Sequence, residues 1–391
     1  MDKIRVGVIG LGNMGSAHAV SVYEKLSDKC ILTAVCDVNP ERLAWAERFG
    51  GVKKYNSYEK MLEDDVCDAV IIATPHYYHA PCAIKAFNTG HHVMCEKPQS
   101  VSLSDAEKMN AAADKSGKVF GIMFNQRTSP LFIRAREIIN SGRLGTPIRL
   151  TYIITNWYRT QRYYDTGAWR ATWKGEGGGV LLNQAPHNLD IMQWIFGMPK
   201  SVYAHLDVAR FHDIEVEDNA ILVMRYENGA TAQFITSTGE YAGTNRLEIV
   251  CSEGKLVLEG GVMKIYSLDF DEEEYRKGSE MSGAHKQPII EEYSPSEKPE
   301  AHVGVLRAFI GKINGECELL ADGREGVNQL TISNAAYLSA WTGSEISLPL
   351  DKSRFDALLE EKKKGSSYDE KANQSGASAD GTMSNRWEIK W

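Results

Sequence analysis

The amino-acid sequence predicts two folded units: a doubly wound, parallel α/β domain, then an α+β domain built on a large, mostly antiparallel open sheet. Three observations predict this. Short apolar runs alternate with helical segments over the first 123 residues, which is the pattern of βαβ units around a parallel sheet. From Ile148 onward strand-like runs succeed one another, joined by turn signals such as Glu227-Asn228-Gly229 and Ser252-Glu253-Gly254, as hairpins require. The chain has 391 residues with 43% hydrophobic content, enough for about two or three domains.

In the first unit, Ile4–Ile9 is a short apolar run ending in glycine, and Met14–Leu26 carries helical signals. Ile31–Cys36 reads as a strand, and Asn39-Pro40-Glu41 opens a helix with a cap residue and a proline at the first helical position. Ala69–Ala73, His92–Cys95 and Val119–Met123 are further strands. Between them lie a helix at His79–Asn88 and one opened by the capping pattern Ser102-Leu103-Ser104-Asp105. Pro130–Ser141 reads as a helix closed by Gly142. The second unit carries strands at Ile148–Ile154, Ser201–Ala209, Ala220–Tyr226, Ala230–Thr236, Leu247–Cys251, Lys255–Glu259 and Met263–Tyr266. Its helices fall at Leu189–Phe196, His302–Asn314 and Arg324–Thr342. The expected bounds are 1–123, 124–363 and a polar tail, 364–391. Within the tail, 375–381 reads as a linker, and Trp387 and Trp391 read either as disordered remnant or as anchors on a folded surface.

Composition narrows the function. The formal net charge is −8 with both signs interspersed, so no basic stretch invites nucleic acid or an anionic membrane. No apolar run approaches the roughly 20 residues of a membrane span. The seven cysteines form no C-x-x-C pair, so neither a metal site nor a disulfide framework is indicated. A soluble protein of a reducing cytoplasm is expected.

Gly10-Leu11-Gly12-Asn13-Met14-Gly15 follows the first strand and opens a helix, the context that makes a G-x-G-x-x-G run a dinucleotide grip. Gly10 permits the tight turn, Gly12 the approach of the pyrophosphate, and Gly15 close helix–strand packing. Asp37 ends the second strand, where a carboxylate binds the ribose hydroxyls and repels a 2′-phosphate. NAD is therefore expected rather than NADP. Glu96-Lys97-Pro98 stands at the carboxyl end of another strand, where open α/β sheets place ligands. His187 follows the triplet Gly177–Gly179, and Asn183, His187 and Asp190 share a face if that segment is helical. Taken alone, Lys97 also reads as a solvated loop lysine and His187 as a core histidine bonded to Asp190. Before the triplet comes a segment rich in aromatic and basic residues: Trp157, Tyr158, Arg159, Arg162, Tyr163, Tyr164, Trp169, Arg170 and Trp173. Sugars stack their C–H faces on such rings and offer hydroxyls to Arg and Asn.

These motifs, in this order, resemble the glucose–fructose oxidoreductase / inositol dehydrogenase / MocA (Gfo/Idh/MocA) family. Thr74-Pro75-His76-Tyr77-Tyr78-His79 is similar to that family's T-P-x-x-x-H loop, and Leu348-Pro349 to its closing segment. The likeness spans about residues 4–350. It implies a Rossmann domain, a sheet domain that often makes subunit contacts, a site in the cleft between them, and Lys97 and His187 as the catalytic pair. It also implies a cis Lys97–Pro98 peptide. Gly10, Gly12, Asn13, Met14, Gly15, Asp37, Thr74, Pro75, His79, Glu96, Lys97, Asn125, Trp169 and Arg170 are assigned to the cofactor. Asn183, Arg127, Trp157, Tyr158, Tyr164 and Trp169 are assigned to the substrate. Many family members carry Asp where this chain has Asn183, which weakens an inositol reading; some sugar 3-dehydrogenases of the family have Asn there. The expected activity is NAD-dependent hydride transfer at a secondary alcohol of a sugar or glycoside, C3 of a pyranoside among the candidates, in a homo-oligomer, dimer or tetramer. Redox-neutral glycoside cleavage through a 3-keto intermediate, inositol oxidation and a non-catalytic NAD sensor are the alternatives.

Overall fold

The structure, a computed structural model, describes residues 3–368. The tail from 369, with the expected linker and with Trp387 and Trp391, lies outside the described residues.

The first sheet contains β1 (Ile4–Ile9), β2 (Cys30–Cys36), β3 (Lys53–Tyr55), β4 (Ala69–Ile72), β5 (His92–Cys95) and β6 (Phe120–Ile122), in the order β3-β2-β1-β4-β5-β6. Every pairing in it is parallel. The order reverses direction between β1 and β4, and a ligand crevice opens at the strands' carboxyl ends at such a switch point. Every residue of β4 is buried, so this central strand is continuously apolar rather than alternating. Helices α1 (Asn13–Val20), α2 (Pro40–Trp45), α3 (Tyr58–Glu63), α4 (His79–Asn88) and α5 (Leu103–Ser116) connect the strands. Asn39 caps α2 by accepting from Glu41 N at 2.8 Å, and Ser102 caps α5 by accepting from Asp105 N at 3.3 Å. The single helix expected over Met14–Leu26 is α1 followed by a wider π-type turn, Ser21–Lys25.

After α6 (Pro130–Asn140) the chain builds the second sheet. Its strands are β7 (Pro147–Ile154), β8 (Ser201–Val208), β9 (Glu217–Arg225), β10 (Thr231–Ser237), β11 (Asn245–Cys251), β12 (Gly254–Glu259), β13 (Val262–Ser267), β14 (Ile289–Tyr293) and β15 (Ile346–Ser347). Their order is β14-β13-β12-β11-β7-β10-β9-β8-β15. Its pairings are antiparallel except β7 with β10. The remaining helices are α7 (Gln161–Asp165), α8 (Pro186–Phe196), α9 (Glu272–Gly278), α10 (Ala301–Ile313), α11 (Gly326–Thr342) and α12 (Lys352–Lys364). One core joins inward residues of the sheet, such as Leu150, Leu222, Phe234 and Ile249, to Leu189 and Met192 of α8 and Leu330 and Tyr337 of α11.

The helix α10 departs from the expected division of the chain. Its Val305, Leu306, Phe309 and Ile310 share a core with Val6, Val8, Ile71 and Met94 of the first sheet. A segment placed by sequence in the second unit thus covers a face of the first sheet. Among the described residues no helix is long and apolar enough to cross a membrane.

Candidate active site

The glycine run behaves as its chemistry requires. Gly10 has φ +86°, and a Cβ there would stand 2.7 Å from the Ala73 carbonyl oxygen. A Cβ on Gly15 would strike the Gly10 carbonyl, whereas one on Gly12 would meet nothing within 4 Å. Gly10 and Gly15 therefore serve packing, and Gly12 leaves room for a ligand. Gly12 caps α1 without a side-chain hydrogen bond, and the first turn carries no acidic residue. The N–H groups of the first turn and the positive end of the helix dipole suit a phosphate. Asp37 stands beside them, its carboxylate accepting from Leu11 N at 2.6 Å and Asn39 N at 2.8 Å. Each oxygen retains a lone pair for a ribose hydroxyl.

At the carboxyl end of β5, Glu96, Lys97 and Pro98 turn into the cleft, and the Lys97–Pro98 peptide is cis. Lys97 is no solvated loop lysine. Its Nζ donates to the Asn183 carbonyl at 2.5 Å. Burial lowers its pKa, Glu96 and Glu176 pull it up, Arg170 and Arg159 push it down further, and it settles at about 8. Glu96, assigned to the cofactor, is instead engaged behind the lysine. It is buried and bonds His18 Nε2 at 2.7 Å, and it accepts from Lys97 N at 3.2 Å. Burial alone would raise its pKa; the His18 hydrogen bond and the nearby His18, His302 and Lys97 hold it at about 2.

His187 lies in the first turn of α8 and is 8% exposed. It is not a core histidine bonded to Asp190: Asp190 bonds Arg127 and Gln193 instead. The His187 Nδ1 is buried with no partner among the described residues. Burial, and then the charge of Lys97, push its pKa well below the ordinary histidine value. The shared helical face with Asn183 does not form, because Gly179–Ala185 is a series of turns and α8 begins at Pro186. Asn183 still reaches the site, through its carbonyl to Lys97 and its Nδ2 to Glu176.

Glu176 escaped the sequence reading. It is 1% exposed, accepts from Ala171 N at 2.6 Å, and lies 4.0 Å from Arg170 Nη1. Burial raises its pKa against the pull of Arg170, Ala171 N and Asn183. A carboxylate thus stands beside the amide at the position where many relatives of the expected family carry Asp. Its sequence signal was its place inside Gly175-Glu176-Gly177, just before the glycine turn.

Three further assigned residues are held by the protein's own groups. The Arg127 guanidinium grips both Asp190 oxygens at 2.7 and 2.8 Å and Glu325 at 2.6 Å, fully buried. A fork so engaged braces α8 against the segment before α6. Tyr164 is a core strut, its hydroxyl 2.8 Å from Thr238 Oγ1 and its ring packed on His212. His79 sets its ring nitrogens 2.7 and 2.8 Å from the carbonyls of Pro98 and Thr74, donating to one of them through the single N–H of its neutral ring. Of the other residues assigned to substrate, Tyr158 packs edge-on against exposed Tyr241. Trp157 Nε1 donates to Asn188 at 3.1 Å, and Trp169 meets His76 edge-on under the Arg170 guanidinium.

These residues fit a nicotinamide dinucleotide. Besides the open approach at Gly12, buried Thr74 Oγ1 and Asn125 Oδ1, both assigned to the cofactor, find no partner among the described residues, and such groups are ordinarily satisfied. Switch-point crevice, glycine turn, uncapped helix and titratable cluster define an NAD-binding oxidoreductase with a two-domain cleft. Comparison with known proteins identifies the family. The sequence matches the NAD-binding Rossmann-fold profile of the GFO/IDH/MocA oxidoreductases over residues 4–124 and the family's C-terminal domain profile over 132–257. The chain belongs to the Gfo/Idh/MocA family and is an NAD-dependent oxidoreductase. It is 26% identical to a myo-inositol 2-dehydrogenase of Thermotoga maritima, over 86% of this chain and 96% of that one. It is 26% identical to a D-glucoside 3-dehydrogenase of Escherichia coli, over 89% and 98%. Among solved structures, the WlbA dehydrogenase of Bordetella pertussis, in complex with NADH and UDP-GlcNAcA, superposes with a TM-score of 0.76 at 29% identity, over 90% of this chain and 100% of that one.

Proposed function

We propose that the protein moves a hydride between the nicotinamide of NAD and a secondary alcohol carbon of a sugar or glycoside, with C3 of a pyranoside the favoured position. The observation that carries this is the bond from Lys97 Nζ to the Asn183 carbonyl. It closes the β5 lysine of one unit onto the turn that leads to His187 in the other. The dinucleotide, when bound, supplies the hydride acceptor; Gly12, the N-terminus of α1, Asp37, Thr74 and Asn125 hold it. The aromatic wall of Trp157, Tyr158 and Trp169 receives the sugar's C–H face. Lys97 donates to the reacting oxygen and stabilises its developing negative charge while protonated. Above about pH 8 its neutral amine takes the hydroxyl proton. His187, held neutral, fixes the orientation of the same hydroxyl. Asn183 and Glu176 hold Lys97 in place from behind.

The relatives support the substrate class, since those compared act on inositol and on a glucoside by name. Asn183 in place of a carboxylate favours the glycoside over the cyclitol. Six of the seven cysteines are buried free thiols, in keeping with the reducing cytoplasm we assign. A panel of sugars, glycosides and inositols with NAD, followed by NADH absorbance, tests the reading. Glycoside turnover is expected. Lys97→Ala and His187→Ala are each expected to lower kcat by about 100-fold or more, Lys97 through lost acid–base catalysis and His187 through lost orientation of the hydroxyl, while NADH still binds. Near-normal turnover in either variant removes that residue from the mechanism.

A further inference from the structure

The cleft holds a second, cationic feature that hydride transfer at an alcohol does not require. Arg159 sits in the loop between β7 and α7, its guanidinium carbon 4.9 Å from the Tyr163 ring centre and 5.7 Å from that of Trp157. The Arg170 guanidinium lies 4.6 Å from the same Tyr163 ring centre and donates to the Tyr163 hydroxyl at 2.9 Å. Both charges are felt at Lys97. Arg170 has Glu176 at 4.0 Å, but Arg159 has no carboxylate partner among the described residues. Its Nη1 is tied back to the carbonyls of Trp157 at 3.3 Å and Tyr158 at 3.0 Å. Its Nε is buried and without an acceptor, and no described residue accepts from its Nη2. Nε–H and Nη2–H are the two parallel donors with which arginine grips a planar carboxylate side-on. The Nη1 anchors and the two rings fix the plane of that fork beside the aromatic wall.

We propose that the substrate is an acidic sugar, and that Arg159 is its specificity-determining residue, gripping a substrate carboxylate through Nε and Nη2 while the neighbouring hydroxyl carbon reacts at Lys97. This rests on the functional reading above and narrows it to uronic-acid glycosides or related sugar acids. It also accounts for a cleft that sets Arg159 and Arg170 on one ring, with both charges felt at Lys97.

The test uses the full chain loaded with NAD and two compounds alike except at C6, a methyl glucoside and the matching methyl glucuronide. Both turnover and binding to the NADH-loaded protein are measured. The glucuronide is expected to be favoured in kcat/KM by about tenfold or more, the scale of a charge-assisted pair of hydrogen bonds. In Arg159→Gln and in Arg159→Lys, which keeps the charge but not the fork, that acid-to-neutral ratio is expected to fall by about tenfold or more. Circular dichroism establishes that each variant is folded. A wild-type preference for the neutral glucoside, a ratio unmoved by both variants, or tighter binding of a glucose 6-phosphate than of the glucuronide overturns the proposal. If the glucuronide binds through Arg159 but no sugar is ever oxidised or its ketone reduced, the dehydrogenase reading fails and the acid site stands.

Discussion

Single side chains set both cofactor choice and pH response. Asp37 offers a carboxylate at the ribose position, and a 2′-phosphate there meets like charge. NADH is therefore expected to bind with a lower Kd than NADPH, and Asp37→Ala to narrow the difference; equal affinities in the unmodified protein refute the assignment. Lys97 titrates at about 8. The protonated amine dominates below that value and the neutral amine above it, so kcat/KM for alcohol oxidation is expected to climb with pH and level off above about 8, with ketone reduction favoured on the acid side. In Lys97→Arg, which cannot lose its proton in this range, the inflection should vanish; a wild-type profile flat from pH 6 to 9 excludes Lys97 as the proton acceptor. At this scale the sequence was legible where a motif fixes backbone geometry, as with Gly10 and the turn at Lys97. It was opaque where partners come from far along the chain. Arg127 looked available until the structure brought Asp190 and Glu325 onto it, and nothing local to Glu176 announces that Asn183 and Arg170 will close around it.

Elements carry the site by holding turns that have no regular structure of their own. The glycine-rich turn before α8 is anchored by Glu217 of β9, whose carboxylate accepts from Gly179 N at 3.0 and 3.1 Å, Leu181 N at 2.9 Å, and Tyr337 Oη of α11 at 2.7 Å. A Cβ on Gly179 would stand 1.9 Å from the Glu217 carbonyl, so only glycine lets the turn approach β9. Burial raises the Glu217 pKa to about 7 despite those donors. A carboxyl group with a raised folded-state pKa binds more protons folded than unfolded between about 4.5 and 7. Its contribution is fully present below the unfolded value and is lost as pH rises through the folded one. The Tm difference between the unmodified protein and Glu217→Gln should therefore change across pH 4.5–7, the unmodified protein losing ground as pH rises. A constant offset over that window means Glu217 does not titrate there. Strand–helix alternation made most elements readable, and the boundaries of α4 are those the sequence suggests. The condition for a face shared by Asn183 and His187, a helix through both, is not met, because three successive glycines favour turns over a helix nucleus. The helix α12, polar over most of its length, offers little apolar periodicity, and only Phe355 and Leu359 are buried on it.

At the scale of the whole molecule, the second sheet buries one face under α8 and α11 and leaves the other open. Along β9 the alternation is strict: Leu222 and Met224 point into the core, Ile221 and Val223 outward at 41% exposure each. Register places Tyr203 of β8 opposite Val223, and Ile235 of β10 opposite Ile221, with Ile153 of β7 next in that row. The row then ends in charge, Arg246 bonded to Glu248 and Glu259 on β11 and β12. An apolar strip rimmed by ion pairs on an open sheet face is the form of an interaction surface rather than of a surface at rest in water. Burying the exposed halves of such side chains contributes roughly 1 kcal/mol each, too little for one residue to hold two chains but enough when a face of about 800 Å² on each partner is covered. We therefore assign this face to self-association, so the protein is expected to run as a dimer or larger in light scattering. Tyr203→Glu with Val223→Glu places two like charges on each copy, four where two identical faces meet, and should give the monomer mass with secondary structure retained. The catalytic cleft lies on the other side of the sheet, beyond α8, so NADH binding should survive the change. An unaltered mass in that double variant, or a monomeric unmodified protein at the concentrations used for assay, removes the sheet face as the contact.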